Sequence, residues 1–189
     1  GFVGLFLLRL FLKKQKISTS PMLDMVLLKD RRILLGMVLC FVPMAVIVGF
    51  EFILAQELQF VHQISPANAG LFMMPFIFSA AIAGPITGSI ITKVGFRKVI
   101  LAALSLSSLS FFILSTLDFS SLSGSLIFCL SILGFSLGMV LISGTTSIMS
   151  STPQDKAGMA GSMESIAYEL GTGLGITFFG IVVSQIFIE

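Results

Sequence analysis

The chain has 189 residues, 56% of them hydrophobic and only 11% charged, with a mean hydropathy of +1.07. So apolar a composition excludes a soluble domain and predicts an all-α integral membrane protein, a polytopic helical bundle. The formal net charge of +2 informs only once the charges are placed, and no nucleic-acid partner is expected.

Residues 1–12, GFVGLFLLRLFL, are apolar from the first position and carry no initiator Met; they are expected to be the end of a truncated spanning helix rather than a secretory leader. A linker over 13–32 follows, with Lys13, Lys14 and Lys16. From Pro21 it continues as PMLDMVLLKDRR, which reads either as a short helix lying on anionic lipid or as a disordered connection. The first complete span is expected at about 33–55, with Pro43 inside it. Glu51 falls near its far end and reads either as an interfacial acid or as a polar contact in a cavity. Residues 56–63 should form a short polar connection holding Glu57 and the only histidine, His62, as a solvated side chain. Ser65 and Pro66 have the form of an N-cap and first helical residue, opening a second span at about 66–92 that contains Pro75 and Pro85. The third span, about 99–117, is short and serine-rich, and a turn over 118–123 leads to the fourth, about 124–149. Thr152, Pro153 and Asp155 are expected to cap the start of the fifth, about 157–187.

Five spans place every basic residue on one side. Seven precede Ile33, three (Lys93, Arg97, Lys98) lie in the second connection, and Lys156 stands before the last span, which accounts for all 11. The excess of Lys and Arg in cytoplasmic loops then puts the linker in the cytoplasm of a multi-pass protein of the plasma (inner) membrane. Small residues four apart, Gly84 with Gly88, Gly134 with Gly138 and Gly171 with Gly175, mark faces where helix backbones approach closely.

The last span holds two carboxylates in otherwise uncharged sequence. By helical rise alone, Glu164 lies about 12 Å and Glu169 about 20 Å beyond Lys156. An ionised carboxylate at mid-depth costs on the order of 3 kcal/mol, so Glu169 is expected to face a bundle interior or a wet cavity and to carry a proton. Five residues turn a helix by about 140°, so the two acids do not share a face. Tyr168, four residues beyond Glu164, does share that acid's face. Cys40 and Cys129 lie in apolar runs without metal-ligand spacing, and neither a metal nor another cofactor is expected. An intramembrane enzyme would need a nucleophile with its base, or paired acids at facing positions, and the one histidine is predicted in a loop.

The stretch GPITGSIITKVGFRK, residues 84–98, resembles the cytoplasmic loop motif of the major facilitator superfamily. Gly88, Lys93, Gly95, Arg97 and Lys98 match it as they stand, while Thr92 occupies the place of the family's acid. Gly95 suits the tight turn between two spans, and the three basic residues suit the phosphate layer. A threonine can hydrogen-bond at a helix end but cannot form the ion pair on which the family's gating latch depends. Residues 152–180, TPQDKAGMAGSMESIAYELGTGLGITFFG, resemble the penultimate helix and preceding loop of the fourteen-helix drug:proton antiporter branch. The likeness implies part of the carboxy-terminal six-helix half of a major facilitator fold, with the amino-terminal half of the transporter as its missing partner. It implies proton-coupled efflux of small hydrophobic cations, with Glu169, Glu164, Tyr168 and Glu51 as candidates for handling proton and substrate. Uptake of another small solute, or a truncated fragment without independent activity, are the alternatives.

Overall fold

The computed structural model describes residues 29–119, 121 and 123–186, together with Gly4, Phe6, Arg9, Leu10 and Lys13. The expected truncated helix over 1–12, most of the linker over 13–32 with its surface helix, and the last residue of the expected fifth span, Phe187, lie outside the described residues. Among the described residues there are five long helices and no strand: α1 Arg31–Gln56, α2 Pro66–Val94, α3 Phe96–Leu114, α4 Gly124–Ser151 and α5 Ala157–Ile186. Each is long and apolar enough to cross a bilayer, which makes this a multi-pass membrane protein and an all-α bundle.

Local chemistry sets the helix ends. Asp30 Oδ1 accepts from the Arg32 amide at 2.7 Å and caps α1. Ser65 and Ser123 accept from the Asn68 and Leu126 amides and cap α2 and α4. Gly95 is the single residue joining α2 to α3; its φ of +94° is a conformation that side chains rarely adopt, and its amide still closes the last turn of α2 on the Ile91 carbonyl.

Three boundaries differ from the sequence reading. The segment 56–63 is not a polar connection: after Gln56 the chain continues as a π-helical turn, Glu57–Val61, which carries the first span on by another turn and buries Leu58. His62, expected to be solvated, is partly buried beside Glu57, Nε2 to Oε1 3.6 Å. α3 runs Phe96–Leu114, starting and ending earlier than 99–117, because Gly95 reverses the chain without a loop. Thr152 does not cap α5; it closes α4 and donates to the Ile148 carbonyl at 2.8 Å, and a 3-10 turn, Gln154–Lys156, leads into α5.

α4 is the most enclosed helix and packs on α1, α2 and α3, while α5 lies along α1 and meets α4 only lightly. Without a hydrophobic drive between helices in lipid, close approach and interhelical hydrogen bonds must supply the attraction. A Cβ at Gly138 would lie 2.9 Å from the Ala80 carbonyl oxygen of α2, and Gly134 sits tighter still against the Phe76 carbonyl. On the other side, Gly171 and Gly175 of α5 press on the Phe41 and Ala45 carbonyls of α1, where a Cβ would come within 2.5 and 2.6 Å. The Gly84–Gly88 pair behaves differently: a Cβ at Gly84 would meet only Ile142, at 3.8 Å, and at Gly88 nothing among the described residues. A contact without four-residue spacing is the mutual one between Gly36 of α1 and Gly144 of α4, each facing the other's carbonyl oxygen at 2.9 Å from a built Cβ. Toward the opposite end, the Phe50 ring meets Phe76 and Phe111 at 5.5 and 5.6 Å between centroids, joining α1 to α2 and α3.

Candidate functional site

Alternation of direction brings the start of α1, the α2–α3 junction and the α4–α5 connection to one end. Lys29, Arg31, Arg32, Lys93, Arg97, Lys98 and Lys156 gather there. Glu57, His62 and Asp118 lie at the other end.

The polar centre lies where α1, α4 and α5 meet, Glu164 being about 10 Å along α5 from the basic end. Thr145 Oγ1 of α4 donates to Glu164 Oε1 of α5 at 2.6 Å, and the same hydroxyl lies 2.9 Å from Tyr168 Oη. The gap at Gly36 and Gly144 allows this meeting: it draws α1 onto α4 and sets the fully buried Cys40 thiol against Gly144, beside Thr145 and Tyr168. Ile148, Ala160 and Ala167, all buried, enclose the cluster on its packed side. Glu164, Thr145 and Tyr168 are each only partly covered, so the carboxylate is sheltered by its neighbours yet reachable.

Most hydroxyls in these helices bond back to their own backbone. Thr146 donates to the Ile142 carbonyl and Ser143 to that of Met139, both at 2.7 Å. Thr145 forgoes that bond and crosses to α5, which costs a local partner and requires a strong one in exchange. A hydrogen bond to an ionised carboxylate meets the requirement. Ser147, two residues further, also crosses, donating to the Arg32 carbonyl of α1 at 2.9 Å.

The other expected residues are dispersed. Glu169 is not turned into the bundle among the described residues: it stands on the exposed side of α5 with neither hydrogen bond nor ion pair there. The helical phase explains why, since Ala167 and Gly171 hold the buried face. Glu51 is partly buried in the far half of α1 and is also unpartnered among the described residues. It lies eleven residues from Cys40, three turns along the same face. Of the loop motif, Gly88, Thr92, Lys93, Gly95, Arg97 and Lys98 are all exposed. Thr92 donates to the Ser89 carbonyl at 2.8 Å, so it is occupied by its own helix. Thr145 and Cys40 were not visible as site residues in the sequence, because one hydroxyl among many and one thiol in an apolar run carry no spacing signal. No three His, Cys, Asp or Glu side chains converge among the described residues.

The sequence profile of the Major Facilitator Superfamily matches residues 2–187. The chain is 43% identical over 184 residues to the methyl viologen resistance protein SmvA of Salmonella typhimurium, covering 97% of this chain and 37% of that protein. It is 29% identical to the riboflavin transporter RibZ of Clostridioides difficile, over 98% of this chain and 41% of that one. It is 28% identical to the multidrug resistance protein Stp of Mycobacterium tuberculosis, over 93% and 32%. The chain thus spans about two fifths or less of the length of these relatives.

Proposed function

Because the chain belongs to the major facilitator superfamily, we propose that it forms part of a proton-coupled exporter of small hydrophobic cations in the plasma membrane, its basic end in the cytoplasm. The observation that carries the reading is Glu164, a partly buried carboxylate in a membrane-length helix, held by Thr145 and Tyr168 where three helices meet. A proton and an organic cation compete for that one negative charge, so loading one releases the other. The Tyr168 ring beside it adds a π face to which a lipophilic cation is attracted. Names of the relatives agree with the substrate class: one confers resistance to methyl viologen, an organic dication, and another is a multidrug resistance protein. The whole transport path needs the remainder of the fold, against which this bundle would rock to alternate access.

Carriers of this family move solutes without changing them, and the site is read accordingly as a binding and proton-exchange station. A second reading, transport of a different small solute, draws on the likeness to a riboflavin transporter. Proteoliposomes holding the complete protein distinguish the two. An imposed proton gradient is expected to drive methyl viologen against its concentration, and Glu164→Gln to abolish that coupling. Riboflavin movement in place of methyl viologen would favour the second reading, and full coupling in Glu164→Gln would remove this carboxylate from the mechanism.

A further inference from the structure

We propose that Thr145 conducts the proton to Glu164, the path running from Tyr168 Oη through Thr145 Oγ1 to the carboxylate; the inference rests on Glu164 being the proton site. Donor and acceptor capacity fixes the direction of the chain. An ionised carboxylate can only accept, so Thr145 spends its one proton on Glu164 Oε1, 2.6 Å away. The remaining capacity of Thr145 is as an acceptor, so Tyr168 must donate across the 2.9 Å gap. Both links are short enough for proton exchange without movement of the helices.

Transfer is balanced at each atom. A hydronium ion gives a proton to Tyr168 Oη and is left as water, as the tyrosine's own proton passes to Thr145 Oγ1 and the threonine's own proton passes to Glu164 Oε1. Both hydroxyls end neutral, and the carboxylate has gained one proton. Release runs the same steps backward, with the hydroxyl bonds pointing the other way. The titratable groups facing Glu164 are Tyr168 on its own helix and, across from α1, the Cys40 thiol. Thr145 is the group α4 supplies. Ile148, Ala160 and Ala167 line the side where α1 and α4 close on α5, and the polar groups beside the carboxylate are the Thr145 and Tyr168 hydroxyls with the Cys40 thiol against them. A threonine kept only for packing would bond back to its own helix, as Thr146 does.

The test is the rate at which Glu164 takes up a proton after a rapid drop in pH, followed by the infrared C=O band of its protonated form in the complete transporter, with Glu164→Gln identifying the band. Thr145→Val removes the hydroxyl at nearly constant volume and is expected to slow uptake about a hundredfold, the low end of what a positioned proton-transfer group contributes. Thr145→Ser is expected to restore the wild-type rate, which a purely structural role of the methyl group would not allow. Tyr168→Phe should slow uptake as Thr145→Val does. An unchanged rate in Thr145→Val, or a Thr145→Ser variant as slow as the valine, overturns the relay while leaving Glu164 as the proton site. If no band disappears in Glu164→Gln across the pH range that supports transport, the assignment of Glu164 itself fails, and the relay with it.

Discussion

Glu164 and Glu169 stand five residues apart on one helix, and their surroundings differ. Glu164 has two hydroxyl neighbours and partial shelter; Glu169 is open and unpartnered among the described residues. On the proposed reading, a bound cation would meet a hydrogen-bonded charge at the first and an unpartnered one at the second. If Glu164 is where proton and cation compete, cation affinity rises with pH as that carboxyl loses its proton and falls as pH drops. Glu164→Gln should flatten that dependence. Glu169→Gln should keep it while weakening affinity up to about tenfold, some 1.4 kcal/mol. Equilibrium binding of methyl viologen to the complete transporter, measured across pH, reads both. A flat profile in Glu169→Gln would move the proton site to that residue. From the sequence, rise per residue ranked Glu169 first because depth was the only measure to hand. Depth does not report azimuth relative to neighbours, and the face of α5 that packs on α1 was decided by Gly171 and Gly175.

At the scale of helices, spacing of small residues located two of the close contacts and misplaced a third. Gly134 with Gly138 and Gly171 with Gly175 lie against neighbouring carbonyls, whereas Gly84 has only an ordinary contact with Ile142 and Gly88 faces open space among the described residues. The Gly36–Gly144 contact was illegible, since each glycine's relevant partner is on another helix. The five spans themselves were legible because eighteen or more apolar residues admit few other readings. The π-helical extension of α1 was not, because Gln56, Glu57 and Gln59 look like a surface connection and only tertiary packing of Leu58 shows the helix going on. Gly175→Val should force α5 away from α1 and cost about 1–3 kcal/mol, by the usual penalty for overpacking. Gly88→Ala should cost nothing measurable in comparison. Thermal unfolding of the two variants in detergent, against the parent protein, gives the difference; equal losses would mean that the α1–α5 contact is not the tight one.

Across the whole molecule, the basic side chains at one end and Glu57, His62 and Asp118 at the other give the bundle an electrical polarity along its long axis. In a membrane that asymmetry sets orientation. Cysteines placed at Lys93 or Lys156 should be labelled by a membrane-impermeant thiol reagent only after cells are opened, and one at His62 in intact cells. The native Cys40 and Cys129 are buried and contribute little background. Labelling of position 93 from outside would invert the topology and place the motif loop on the wrong face for the proposed exporter.

α4 unites the bundle, yet it follows α1, α2 and α3 in the chain. A ribosome thus delivers α1, α2 and α3 into lipid before the scaffold on which all three settle. Until then α1 meets the two helices that follow it chiefly through the Phe50 ring, and α2 and α3 share little beyond their hinge at Gly95. Those three helices are therefore expected to be inserted before they are packed, with the contacts that hold them together arriving only with α4.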